Sequence, residues 1–195
     1  MKAPPVQPLS DSSELSGFAK KLSDAALERL KHKVKYDGSY FRIPYPGGDV
    51  PEDIGVCTDE IIRIYRSVGI DLQKEVHEEM LAHFDAFPNF KKWGRKSPDT
   101  NIDHRRVPNL HAFFARKGTP LPVTNDPKDY VPGDIVIWAN SSHIGIVVNR
   151  KQPGQNRYMI VHNINAGPVL EDALFNFPIA GHYRYYGSNS SYASR

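Results

Sequence analysis

The sequence has a single cysteine, Cys57, so no disulfide can close within the chain. In a cytosolic protein a lone cysteine is usually a small buried hydrophobe; in a secreted one it is a candidate reactive thiol. No stretch approaches the roughly 20 apolar residues that cross a bilayer as a helix, so no membrane span is expected. The region after Met1 lacks the apolar core of about 7–15 residues that a signal peptide carries, and with Pro4, Pro5 and Pro8 it reads as a trimmed or mature N-terminus. Lys and Arg form no dense block and the formal net charge is only +3, which argues against a nucleic-acid partner. That mild positive balance suits an anionic partner such as a cell-wall polymer. A zinc-protease helix is missing too. His77-Glu78-Glu79-Met80-Leu81 begins like one, but Leu81 stands where the second histidine belongs. No ligand spacing supports a metal site built from His143, His162 and His182.

What is present fits one domain. The chain has 195 residues, 39% of them apolar, with charges of both signs interspersed, enough for a core of its own. Residues 1–9 read as a flexible leader, 10–186 as the domain and 187–195 as a disordered tail. Leu15, Phe18, Ala19, Leu22, Ala26 and Leu30 recur at helical spacing between Ser10 and about Lys35, with Asp11 or a neighbouring Ser as the cap. A loop rich in Gly, Pro and Tyr follows, from Asp37 to Gly55. A second helix starts near Cys57, with Ile61, Ile64, Tyr65 and Val68 on one face and Gly69 as its stop. Val76, Met80, Phe84 and Phe87 predict a third helix ended by Pro88, and a short one spans Leu110–Arg116. Beyond Pro120 the pattern turns to β, at Asp134–Trp138, Ile144–Val148, Tyr158–Asn163 and His182–Tyr186. Helices first and antiparallel strands afterwards make an α+β domain.

The segment Asp53-Ile54-Gly55-Val56-Cys57-Thr58-Asp59 places the thiol at a helix N-terminus. Unpaired N–H groups and the helix dipole there favour a thiolate and offer donors for an oxyanion. A nucleophile needs a base, and the base an orienter. His143 follows the polar turn Asn140-Ser141-Ser142 and opens an apolar strand, where its ring should sit near solvent and transfer protons at neutral pH. The strand ending Ile160-Val161-His162-Asn163 offers His162 or Asn163 as orienter; neighbouring strand residues face opposite ways, so only one should reach His143. Asp103-His104-Arg105-Arg106 lies in a polar loop, and Arg105 or Arg106 could grip a carboxylate through paired hydrogen bonds. Glu171 and Asp172 are adjacent and diverge, which makes them flanking residues rather than a catalytic pair.

These residues carry a resemblance. Tyr45-Pro46-Gly47-Gly48-Asp49-Val50-Pro51, Gly55-Val56-Cys57-Thr58-Asp59, Asn101-Ile102-Asp103-His104-Arg105-Arg106-Val107-Pro108-Asn109-Leu110, Pro132-Gly133-Asp134-Ile135-Val136, His143-Ile144-Gly145-Ile146-Val147 and Val161-His162-Asn163-Ile164 look like a bacterial domain-of-unknown-function family placed near the NlpC-type cell-wall cysteine peptidases. Tyr45 with Gly47-Gly48, the Cys57 helix start, the Pro132-Gly133-Asp134 turn, the strand from His143 and the later His162 also resemble the pattern of those peptidases. The resemblance implies a papain-like domain with the nucleophile helix packed on a C-terminal antiparallel sheet. It implies Cys57 as nucleophile, His143 as base, His162 as orienter and Tyr45 near the oxyanion. Asp59, Arg105, Arg106 and Asn163 join Tyr45 as candidate substrate-binding residues. This chain reads Val-Cys-Thr-Asp where that family has Asp-Cys-Ser-Gly, and Gly69–Pro132 is longer than the simple family's counterpart.

The expected activity is therefore hydrolysis of an amide in peptidoglycan stem peptides through a Cys57 thioester, without metal or organic cofactor. The resemblance places such a protein in the periplasm or outside the cell. Two alternatives share the scaffold: a transpeptidase or deamidase using the same Cys–His pair, and a non-catalytic wall-binding module.

Overall fold

The computed structural model describes residues 17–165 and 167–188. The leader at 1–9, the helical turn expected at 10–16 and residues 189–195 of the tail expected from 187 lie outside the described residues. Helix α1 (Gly17–Arg29) buries Phe18, Ala19, Leu22, Ser23 and Ala26, the stripe its spacing predicts. A two-residue strand β1 (Lys35–Tyr36) pairs in parallel with β2 (Ile54–Gly55), setting Tyr36 beside Gly55 at the approach to Cys57. Helix α2 (Cys57–Ser67) follows at once. Ile61, Ile64 and Tyr65 turn inward, the Asp59 carboxylate accepts the Val56 N–H at 2.7 Å, and Gly69 at φ 89° ends the run.

Asp71 caps α3 (Leu72–Ala82) by accepting from the Gln73 and Lys74 N–H groups. The helical pattern expected to run on to Phe87 breaks at His83, and Phe84–Ala86 form a 3-10 turn. Short α4 (Asn89–Trp93) and a 3-10 turn at Asp103–Arg105 lead into α5 (Val107–Lys117), which has a proline in its first turn.

Six antiparallel strands complete the fold: β3 (Thr119–Pro120), β4 (Ile135–Trp138), β5 (His143–Lys151), β6 (Tyr158–Asn163), β7 (Pro168–Glu171) and β8 (Ile179–Arg184), in the order β3-β8-β4-β5-β6-β7. The last strand begins and ends earlier than the expected His182–Tyr186. One face, with Ile135, Ile137, Ile144, Ile146, Val148 and Val161, packs on the helices. The other carries Val136, Trp138, Val147 and Ile160 against Tyr130, Ala173 and Leu174. The mixed α+β class is the one the sequence pattern implies.

The Pro-Gly-Asp turn anchors the end of the sheet. The Asp134 carboxylate is fully buried and accepts from Arg184 through two bonds, at 2.7 and 3.1 Å, from the Val131 N–H, and pairs with His182 Nε2 at 3.0 Å. Gly145 has a structural role of another kind. A Cβ there would stand 2.8 Å from Ile160 Cγ2 and 3.1 Å from both His162 Cβ and Trp138 Cη2. Only a glycine lets β5 and β6 bring His143 and His162 together under the Trp138 ring. Gly145→Ala is expected to cost about 1–3 kcal/mol through overpacking, read as a lower urea midpoint at unchanged slope.

Candidate functional site

Cys57 is the first residue of α2 and is 3% exposed. The Ile144 and Thr58 amides and the Tyr36 hydroxyl lie near enough to its sulfur to favour the thiolate. Desolvation outweighs them and pushes the thiol up to about 11, with Asp59 adding to the rise. It also lifts Tyr36 to about 12. This corrects the expectation of a resting thiolate: burial outweighs the helix start, and the sulfur keeps its proton.

His143 opens β5 opposite Trp138, whose indole stacks on it at 5.6 Å between centroids and 25° between planes. His143 Nε2 meets His162 Nδ1 at 2.8 Å, and His162 Nε2 meets Glu171 Oε2 at 3.1 Å. Proton placement follows from the far end. The Glu171 carboxylate only accepts, so His162 donates from Nε2; its Nδ1 then accepts, so His143 donates from Nε2. His143 Nδ1 is left with its lone pair. The ring is only 8% exposed, and burial with help from His162 lowers it to about 4. Burial also lowers His162, with Glu171 opposing. The expectation of a solvent-near imidazole is thus corrected, since Trp138 and the neighbouring strand cover it.

Of the two orienter candidates, His162 is the one bonded to His143, and Asn163 faces the other side of the sheet, as strand alternation requires. The Ile144 amide, next to His143 in the chain, lies near the thiol, but among the described residues no hydrogen bond joins sulfur to imidazole. Glu171 and Tyr36 are the site residues that sequence reasoning missed. Glu171 and Asp172 do diverge, Asp172 going to Arg157, and Glu171 reaches His162 because β7 places it on the face shared with Ile160.

The remaining candidates are redistributed. Tyr45 is 40% exposed and packs edge-on against His77 on α3; the tyrosine at the thiol is Tyr36, which corrects the oxyanion assignment. Asp59 and Arg105 are buried and bound to each other at 2.7 and 3.1 Å. Arg105 also donates to the Ser39 and Asp37 carbonyls. Neither has a face left for substrate, and their role is to hold the segment after Tyr36 onto α2. Arg106 stacks 4.0 Å over Trp93 and pairs with Asp103 at 3.4 Å, keeping part of its surface exposed. Among the described residues no group of three or more His, Cys, Asp or Glu could hold a metal ion; His182 is taken by Asp134 and the Pro122 carbonyl. A groove of about 370 Å³ lined by Pro88, Lys92, Pro108, His111, Asn140 and Ser141 runs up to the turn before His143.

The buried imidazoles fix a pH dependence. An unfolded histidine titrates near 6.5, whereas folded His143 is lowered to about 4 and His104 to about 3, both first by burial. Between those values the unfolded chain binds more protons. Their contribution is therefore full above pH 6.5 and is lost as pH falls through the folded values, at up to about 1.4 kcal/mol per pH unit for each imidazole. Cys57 acts with the opposite sign, its contribution being lost as pH rises from the ordinary thiol value toward about 11. Urea midpoints should fall on both sides of a broad optimum near neutrality, and a flat profile between pH 6.5 and 4 would show that these rings are not buried neutral.

Comparison with known proteins follows the same residues. A family described as "Domain of unknown function (DUF1287)" matches residues 23–185. The uncharacterized protein YijF of Escherichia coli (strain K12) is 45% identical over 168 residues, covering 85% of this chain and 80% of that protein. No solved structure matches the chain. The stretch from α1 to the end of the sheet, with Cys57, His143, His162 and Glu171 inside it, places the chain in the DUF1287 family.

Proposed function

We propose that the protein is a cysteine-dependent amide hydrolase of papain-like architecture whose substrates are peptidoglycan stem peptides, acting in the periplasm or outside the cell. The observation that carries this reading is the hydrogen-bonded run Glu171–His162–His143, with the lone cysteine at a helix start that approaches the next residue of β5, Ile144. The substrate and location rest on the resemblance of the motifs around Cys57, His143 and His162.

The neutral resting site prescribes the order of events. Substrate enters along the groove beside Asn140 and Ser141, and its carbonyl oxygen is met by the Cys57 N–H at the helix start. The thiol proton passes to His143 Nδ1 as the sulfur–carbon bond forms, and the resulting imidazolium is stabilised through His162 by Glu171. Protonated His143 then gives that proton to the departing amine, and the C–N bond breaks. Water, deprotonated by His143, releases the acid and restores the thiol.

A second reading, a wall-binding module without turnover, is favoured by the closed thiol, 3% exposed and raised to about 11. Incubation with purified stem peptides separates the two. The hydrolase reading expects cleavage that is abolished in Cys57→Ala and reduced about 10²–10⁴-fold in His143→Ala, both variants keeping the parent's circular dichroism. Binding that persists in Cys57→Ala, with no cleavage by the parent, would establish the module.

A further inference from the structure

The chain's net charge of +3 conceals a local excess. Residues 88–108 hold six Lys and Arg against two Asp, so this segment alone is more positive than the whole. Three of its arginines are answered by carboxylates, Arg95 by Asp99, Arg105 by Asp59 and Arg106 by Asp103. Lys92, exposed near the end of α4, has no carboxylate partner among the described residues, and its ammonium stands 5.9 Å from the Trp93 ring centroid. A lone surface lysine means little by itself. Lys92 is set apart because it lines the groove of about 370 Å³, whose walls are Pro88, Pro108, Ala112 and Ala115. No Asp or Glu is among the described residues that line it.

The polar part of the groove is held in an unusual backbone. Ala139, Asn140 and Ser141 have φ of 50°, 55° and 67°. Three successive non-glycine residues thus lie in the left-handed region, at about 1–2 kcal/mol each. The turn is held by the Ala139 N–H on the Pro178 carbonyl at 3.0 Å and the Ser142 N–H on the Trp138 carbonyl at 3.1 Å. From α5, His111 Nδ1 is hydrogen-bonded to Ser141 Oγ. Strain of this kind persists where the surroundings over-determine it, and it gathers at binding sites. Here it brings Asn140 and Ser141 to the groove that Lys92 lines. A neutral imidazole carries its proton on either nitrogen, and a hydroxyl both donates and accepts. When His111 donates from Nδ1 to Oγ, the Ser141 proton is left for a ligand.

An unpaired ammonium, a hydroxyl donor and small apolar walls describe their ligand by complement: a carboxylate on a small apolar body, in a volume usual for small-ligand sites. We infer that the groove binds the free carboxylate of a short peptide, with Lys92 supplying the charge and Ser141, oriented by His111, the hydrogen bond. The turn that carries Ser141 ends at His143, which gives its proton to the departing amine in the proposed reaction. The groove therefore receives the amine-side half of the substrate; that placement rests on the hydrolase reading, while the binding does not.

The probes are N-acetyl-alanyl-alanine and its C-terminal amide, followed on the parent protein by nitrogen-15 amide shifts and checked by mass to stay intact. The acid is expected to move the Asn140, Ser141 and His111 signals and to bind about 10-fold tighter than the amide, as a charge-assisted hydrogen bond warrants. Lys92→Gln and Ser141→Ala should each remove most of that preference and leave the amide's affinity near the parent's. Lys96→Gln removes the same charge from a residue that does not line the groove, and should keep the preference. Equal affinity for acid and amide, or no binding of either at millimolar concentration, would overturn the inference. A preference lost equally in Lys92→Gln and Lys96→Gln would assign it to the positive surface as a whole and overturn it too. A preference intact in Ser141→Ala would make the His111–Ser141 bond a loop tether and overturn the site as drawn. None of these readings needs turnover, so the groove and the Cys57 hydrolase stand or fall separately.

Discussion

The hydrogen bond between His143 and His162, at 2.8 Å inside the fold, is the constraint around which the site is arranged. Two imidazoles that share a buried bond cannot both be charged without large repulsion, and burial already disfavours either charge. Both rings therefore rest neutral, and the pair must agree on one proton between them. Glu171 settles that agreement from the rim of the sheet, because a carboxylate accepts and makes His162 the donor at that end. The orientation of His143 follows, with Nδ1 turned into a base. Trp138 shields the arrangement from one side, itself fixed by a 2.9 Å bond from its indole N–H to the Leu174 carbonyl. Gly145 supplies the room for the strands to close.

The other half of the site is held by buried charge. Helix α2 carries Asp59, Glu60 and Arg63 on its inner surface. Such groups are tolerated inside only when paired. Asp59 pairs with Arg105, Glu60 with Arg29 at 2.8 Å, and Arg63 with Asp49 and the carbonyls of Val50, Pro51 and Ile54. These bonds fasten the 49–54 loop and the segment after Tyr36 to the helix start. They hold in place the two-residue strand that sets Tyr36 near the thiol.

What the sequence made legible was local. The Gly-Val-Cys-Thr-Asp start followed by apolar residues at helical spacing marked α2, and the alternating run after His143 marked β5 and the opposite facing of His162 and Asn163. Tyr36 and Glu171 were not legible, because their roles arise from pairings distant in sequence: Tyr36 with Gly55, and Glu171 with Ile160. Both sit on strands too short to show a periodic pattern, β1 spanning two residues and β7 four. Ionisation was equally hidden. A helix start predicts a stabilised thiolate and a strand-end histidine predicts an exposed ring, yet both groups are covered, and desolvation exceeds the local effects. Arg105 shows the same limit: its residue type suits a carboxylate, and the fold supplies one from Asp59.

The most direct test is the protonation state of His143 itself. Nitrogen-15 NMR of the imidazoles, assigned through a His143→Gln variant, reports which ring nitrogen carries the proton and where the ring titrates. A neutral, buried base predicts a proton on Nε2 and a bare Nδ1 throughout the neutral range, with titration delayed to about pH 4. A ring that titrates near its unperturbed 6.5, or one that carries its proton on Nδ1 at neutral pH, would contradict it.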